Sequence, residues 1–282
     1  MPNPQQPELL PASGPQGALA ATPGQHAATV AVISGGTQGL GLAIARQLIA
    51  EGCGKLVISG RDAAKGEAAA AGLRKSGADV RFIAADMGRV ADAVALIDGA
   101  VAAFGRVTAL VNAAAATDRG SILDTTPGGW DALMAVNARG PFFALQRFAQ
   151  LAISAGHPAA AVNILSMVVH CGQTVLAPYS ASKAALANVT KNAAHTLRGQ
   201  HIRVNGINCG WMDTPGEDVV QRRYHGAGDD WLAKAEARQP MGMLVKPDHV
   251  AVLAAYLLGP ASGVMTGALI DFDQNVTGAY PE

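Results

Sequence analysis

Seven short runs rich in Val, Ile and Leu, separated by alanine-rich stretches of helical length, leave this chain few folds to choose from. The runs are Thr29–Ser34, Leu56–Ser59, Asp79–Ala84, Ala109–Asn112, Ala160–Ser166, Ile202–Ile207 and Ala268–Asp271. Strands that are apolar almost throughout need cover on both faces, and strands alternating with helices are parallel strands joined by crossovers. The pattern predicts an α/β fold: a single doubly wound domain with a seven-stranded, mostly parallel sheet and helices on both faces. No repeat or interdomain linker interrupts it. The chain has 282 residues, half of them hydrophobic, enough for a sizeable core.

Charge narrows the function classes. Lys plus Arg and Asp plus Glu are equal at 21 each with no long run of either sign, so neither nucleic acid nor an anionic membrane is expected as a partner. No apolar run approaches the roughly 20 residues of a membrane span. Cys53, Cys171 and Cys209 are far apart and lack zinc-type spacing, which suits reduced thiols. Residues 1–28 carry six prolines and no Lys or Arg, unlike a secretory signal or a mitochondrial presequence. They read as a flexible N-terminal tail, with an arm packing on a neighbouring subunit left open, ahead of a catalytic domain over 29–282; the expected location is the cytoplasm. Residues 211–240 break the rhythm with Pro215, Gly216, Gly226 and Gly228 among mixed charges and two tryptophans. This long excursion leaves the carboxyl end of the sixth strand, where ligands sit in such sheets, and reads as a substrate lid.

Ser34-Gly35-Gly36-Thr37-Gln38-Gly39-Leu40-Gly41 follows the first strand and opens a helix, which aims backbone N–H groups and a helix dipole at a diphosphate. A glycine-rich turn alone is weak evidence, since tight turns use glycine whatever they bind. Its position at the start of the βα alternation strengthens it. At the end of the second strand an acidic residue would bond the ribose 2′-hydroxyl, but Gly60 and Arg61 stand there. Gly60 leaves room and Arg61 can pair with a 2′-phosphate, so NADP(H) is preferred and NAD(H) stays possible. The competing reading is an Arg61 solvated and paired with Asp62, or Asp62 itself serving the ribose.

The spacing Gly35-x-x-x-Gly39-x-Gly41 resembles the short-chain dehydrogenase/reductase family, and further segments agree in order and distance. Leu110-Val111-Asn112-Ala113-Ala114 is similar to that family's Asn-Asn-Ala-Gly strand end, with Ala113 and Ala115 in place of the second Asn and the Gly. Trp130 with Val136-Asn137, Val162 to Ser166, Tyr179-Ser180-Ala181-Ser182-Lys183, Ile202 to Asn205 and Gly210 to Pro215 resemble its later motifs, with Cys209 where proline is usual. The resemblance spans Thr29 to about Asp271 and implies a Rossmann-type domain.

Tyr179 and Lys183 are four apart on a predicted helix, so both project from one face, one turn apart. A free tyrosine has a pKa of about 10, and an ammonium beside it favours the phenolate, so Lys183 is expected to draw Tyr179 toward neutrality. Taken alone this is an ordinary exposed pair. Ser166, thirteen residues before Tyr179 at a strand end, stands at the separation the family uses for its catalytic serine. The resemblance therefore implies that Tyr179 is the acid/base, that Ser166 bonds the reacting oxygen, that the Asn137 carbonyl holds a water linking Lys183 to solvent, and that Lys183 also touches the ribose. It implies cofactor contacts from Ser34, Gly35, Thr37, Gly39, Leu40, Asp86, Met87 and Asn112, and a bond from Thr214 to the carboxamide. No metal is needed. The expected activity is hydride transfer between NADP(H) and a carbonyl or alcohol carbon of a small molecule, in a homo-oligomer, a tetramer. The alternatives are a non-catalytic NADP(H)-binding sensor or scaffold and an epimerase or dehydratase on an extended version of the fold. His170 reads as a solvated loop histidine.

Overall fold

The computed structural model describes residues 23–279. Seven strands, β1 (Val30–Ser34), β2 (Lys55–Gly60), β3 (Asp79–Ala84), β4 (Ala109–Asn112), β5 (Ala159–Ser166), β6 (Ile202–Cys209) and β7 (Leu269–Phe272), form one sheet in the order β3-β2-β1-β4-β5-β6-β7. Every neighbouring pair is parallel. The strands lie where the apolar runs predicted, except that β6 continues two residues further. Asn208 and Cys209 end the apolar run in sequence, yet they still pair with Asp271 and Phe272 of β7.

Alternation across the pleat sorts the strand residues onto two layers. Ala31, Ile33, Leu56 and Ile58 pack toward helices α1 (Gly39–Ala50), α2 (Ala63–Arg74) and a C-terminal helix (Pro247–Leu258); Val32, Val57 and Leu110 pack toward α3 (Val90–Phe104) and the later helix over Gly140–Ser154. All of these strand side chains are fully buried, the valines, leucines and isoleucines each contributing about 1.5–3 kcal/mol. Between β3 and β7 the connections wind outward in both directions from the β1/β4 junction. A crevice opens there at the carboxyl ends of the strands, as it does at such switch points.

Two expectations change. A flexible tail is expected to reach residue 28, but residues 23–28 form a turn docked on the body. Its reason is His26, fully buried, whose ring nitrogens bond the Thr29 hydroxyl at 2.9 Å and the Ala255 carbonyl at 3.1 Å. Glu51 faces the same ring at 3.4 Å. A histidine among small and proline residues carries no periodic signal, so the sequence does not announce this plug; residues 1–22 lie outside the described residues. The second change is in the excursion at 211–240, which contains two helices, α7 (Pro215–His225) and α8 (Trp231–Glu236), when numbered after α4 (Pro127–Met134), α5 (Gly140–Ser154) and α6 (Ala177–Leu197). Trp231, Ala235 and Leu244 give it a small core of its own. A bridge between Met212 and Val245, with Lys246 bonded to Asp213 at 2.8 Å and Glu236 at 2.6 Å, pins its two ends together. Among the described residues no helix is long and apolar enough to cross a membrane.

Candidate active site

The glycine turn after β1 leads into α1 with no side-chain cap at Gln38, so the first N–H groups of the helix stay open toward the crevice. Gly35 takes a φ of +71°, and a Cβ there would lie 2.7 Å from the Ala114 backbone. A Cβ on Gly41 would lie 2.3 Å from the Gly35 carbonyl. The turn is therefore a backbone cradle closed to side chains, the form a diphosphate needs. Thr37, Gly39, Leu40, Arg61, Asp86, Met87 and Thr214 line the crevice with it, joined by Ala113 to Ala116 and Val136.

Ser34 and Asn112, expected as cofactor contacts, are buried beneath the cradle instead. The Ser34 hydroxyl donates to the Val111 carbonyl at 3.4 Å, tying β1 to β4 under the turn. Asn112 donates to Asn163 at 2.8 Å, and Asn163 donates to Thr190 at 2.9 Å. Both residues hold the cradle from below, because strand alternation turns their side chains into the sheet layer while Ala113 onward reaches the crevice. Thr214 caps α7 by accepting the Glu217 N–H at 3.1 Å, which leaves its hydroxyl proton free toward the crevice.

At the adenosine end, Asp62 caps α2 by accepting the Lys65 N–H at 3.0 Å. Asp62 also lines the crevice, and it forms no ion pair with Arg61. Arg61 is exposed at the crevice rim, and a Cβ on neighbouring Gly60 would meet Thr37 at 2.8 Å. Lys65, missed by sequence reasoning, reaches the same rim and bonds the Gln38 side chain. Its signal was available: three residues beyond a capping Asp is the first turn of a helix.

Beyond the loop that follows β4, α6 carries Tyr179 and Lys183. Lys183 is 2% exposed, donates to the Ile164 carbonyl at 2.8 Å and stands 5.8 Å from the Tyr179 ring centre. Ser166 ends β5 beside the Tyr179 hydroxyl, which it favours in the ionised form. Asn137 is fully buried in a turn of π-helix, Ala135–Arg139, between α4 and α5. Its side chain bonds both backbone groups of Ala116, accepting at 2.8 Å and donating at 2.9 Å, and donates to Ser182 at 3.0 Å; Ser182 in turn donates to the Tyr179 carbonyl at 2.7 Å. The four residues singled out in the sequence are thus brought together, with Ser182 as an unforeseen link. A π-turn marks many functional sites and has no periodicity to read beforehand.

The electrostatics differ from expectation. Burial pushes the Tyr179 phenol up to about 12, against the smaller opposing pull of Ser166 and Arg119. Burial also lowers Lys183 to about 8. Desolvation disfavours both charged forms, so the protein itself keeps Tyr179 protonated, the state of a proton donor, and does not draw it toward neutrality. Cys209 beside them is held neutral, its thiol pushed up to about 12 by burial. His170 is also more than a solvated loop residue: it bonds Asp271 at 2.8 Å, and Asn208 holds the same carboxylate at 2.7 Å.

Comparison with known proteins identifies the family. A family model described as enoyl-(acyl carrier protein) reductase matches residues 35–277. An NADP-dependent (R)-specific alcohol dehydrogenase of Lentilactobacillus kefiri is 35% identical over 88% of this chain and 96% of its own length. A cis-4-hydroxycyclohexanecarboxylate dehydrogenase of Sinomonas cyclohexanicum is 32% identical with the same coverage. Among solved structures, a phenylalanine-to-tryptophan variant of actinorhodin polyketide ketoreductase with NADPH superposes with a TM-score of 0.84 at 28% identity, covering 91% of this chain and all of that one. The chain belongs to the short-chain dehydrogenase/reductase family and is an NAD(P)-dependent oxidoreductase acting between CH–OH and C=O.

Proposed function

We propose that the protein transfers a hydride between NADP(H) and a ketone or secondary alcohol, with Tyr179 as the proton donor and acceptor. The observation that carries the mechanism is the grouping of Tyr179, Ser166 and Lys183, tied through Ser182 and Asn137 to Ala116, which lines the crevice together with the glycine turn. NADP(H) suits the residues present: a backbone cradle at a helix N-terminus for the diphosphate, and at the rim two cations, Arg61 and Lys65, beside an Asp62 that caps α2. The NADP(H) named for the alcohol dehydrogenase and the ketoreductase supports the same choice. When bound, the reduced nicotinamide supplies the hydride. Ser166 holds the substrate oxygen, Tyr179 gives it a proton, and the Lys183 ammonium stabilises the phenolate that forms as the proton leaves. Asn137 keeps Tyr179 in place through Ser182, and nothing in the geometry favours a non-catalytic binder.

The excursion at 211–240 acts as the substrate lid. Trp231, 8% exposed, stacks on Trp211 at 6.4 Å between ring centres and forms the lid's core, so its removal acts through the lid's shape. Trp231→Ala is expected to reorder the preferred ketones while leaving NADPH affinity unchanged. The active form is a homotetramer, checked by light scattering, where a monomeric mass refutes it. The main test is loss of NADPH absorbance with a broad panel of ketones, and its reverse with NADP+ and secondary alcohols. No turnover with any member in either direction rejects the proposed activity.

A further inference from the structure

The loop after β4 carries a cation that the mechanism does not use. Arg119 is half-buried and sits where Gly120 forms a β-bridge with Leu176, the residue that opens α6. Gly120 N–H donates to the Val175 carbonyl and Ala177 N–H donates to the Gly120 carbonyl, both at 3.0 Å. Arg119 is therefore fixed to the start of the helix that presents Tyr179, two residues after that helix begins. Its neighbour Asp118 accepts the Tyr224 hydroxyl of α7 at 2.8 Å, so the loop that carries Arg119 runs between the start of α6 and the lid.

The guanidinium has five N–H donors. One nitrogen, Nη1, donates to the Thr117 carbonyl at 3.0 Å. Nε is buried with no partner. The two carboxylates nearby are engaged elsewhere: Asp118 accepts the Tyr224 hydroxyl at 2.8 Å, and Glu217 accepts Trp211 Nε1 at 2.8 Å and Gln221 at 2.7 Å. Among the described residues Arg119 forms no ion pair. Nη2, which bonds none of the described residues, and the remaining N–H of Nη1 stay available to a ligand.

We infer that Arg119 is a specificity residue for an anionic substrate: a ketone or secondary alcohol bearing a carboxylate, received by the guanidinium fork beside Tyr179. The inference rests on the hydride-transfer reading above and adds the charge of the substrate to it. A planar fork matches two carboxylate oxygens, which Nη1 and Nη2 would take. The Asp118–Tyr224 bond closes the lid helix over the same loop, so the anion would be held between loop and lid.

The test uses acetoacetate, 4-oxopentanoate and 5-oxohexanoate, each against its methyl ester, with 2-oxopropyl sulfonate and 2-oxopropyl phosphonate as further arms. Both kcat/KM with NADPH and binding to the enzyme–NADPH complex, read by nicotinamide fluorescence, are measured for wild type, Arg119→Gln and Arg119→Lys. The expected result is a wild-type preference for at least one keto acid over its ester. That preference falls about tenfold to a hundredfold in Arg119→Gln through KM, with ester turnover unchanged and partial recovery in Arg119→Lys. A sulfonate or phosphonate preferred over every keto acid overturns the carboxylate assignment. Equal use of acid and ester, an acid preference that survives in Arg119→Gln, or no keto acid bound or turned over overturns the inference. Turnover of esters in those cases leaves hydride transfer standing, whereas no turnover of any probe counts against both.

Discussion

The two ends of the crevice are built on opposite principles. At the proposed catalytic end Lys183 and Asn137 are buried and held, Lys183 by the Ile164 carbonyl and Asn137 by Ala116 and Ser182, with Tyr179 and Ser166 half-buried above them. At the adenosine end Arg61 and Lys65 are exposed on flexible stems, and the contact made there is between Lys65 and the Gln38 side chain. Buried, satisfied networks are rigid and costly to alter, while exposed charges contribute little to stability and change freely. The chemistry is therefore fixed by the fold, and the choice of cofactor is written on the surface, where it can be rewritten without cost to folding.

The largest effect belongs to the rigid end. Tyr179→Phe is expected to lower turnover by about a hundredfold or more, with NADPH affinity unchanged in a fluorescence titration. Near-normal turnover would remove the phenol from the mechanism. The pH profile sharpens the same point. Lys183, lowered to about 8 by burial, loses its charge as pH rises through that value, while Tyr179, at about 12, keeps its proton. Ketone reduction is thus expected to hold below pH 8 and decline above it with the slope of one proton. A decline governed by a group near the ordinary tyrosine value of about 10 instead would return the role to an unperturbed phenol.

Ser182→Ala comes next. It leaves the fully buried Asn137 amide short of an acceptor and should cost about 1–3 kcal/mol in chemical unfolding, with the NADPH-to-NADH ratio untouched. The smallest change is expected at the other end. Arg61→Ala and Lys65→Ala should each weaken 2′,5′-ADP binding about tenfold against 5′-AMP while shifting stability by no more than about 0.5 kcal/mol. Should Ser182→Ala prove silent in unfolding, or the rim variants destabilise the protein, the contrast between the two ends fails.

What can be read beforehand follows the same division. Strand positions are legible because burial on both faces demands continuous apolar runs, and Tyr179 with Lys183 because helical spacing puts them on one face. The burial of the Ser34 and Asn112 side chains is not legible in such a reading, since a motif gives position along the chain but not whether a side chain points into the sheet layer or the crevice. The acid/base tuning is misjudged for a related reason: spacing reveals the partner charge of Tyr179 but not the desolvation, which dominates. Ser182, Arg119 and the π-turn at Asn137 depend on contacts between segments tens of residues apart, and no local pattern encodes them.

The docked turn at residues 23–28 bears on how the protein can be cut. Glu51 is 2% exposed and takes its partners from this turn, through Gln25 and His26, as well as from Gln47 of α1. A shortened chain beginning at Thr29, the limit that composition suggests, would strip two of these partners from a carboxylate at the joint of α1 and the C-terminal helix. One beginning at Pro23 keeps them. A chain beginning at Thr29 should therefore have a lower thermal midpoint than one beginning at Pro23, although the glycine turn and Ser166 lie at the opposite, carboxyl ends of the strands.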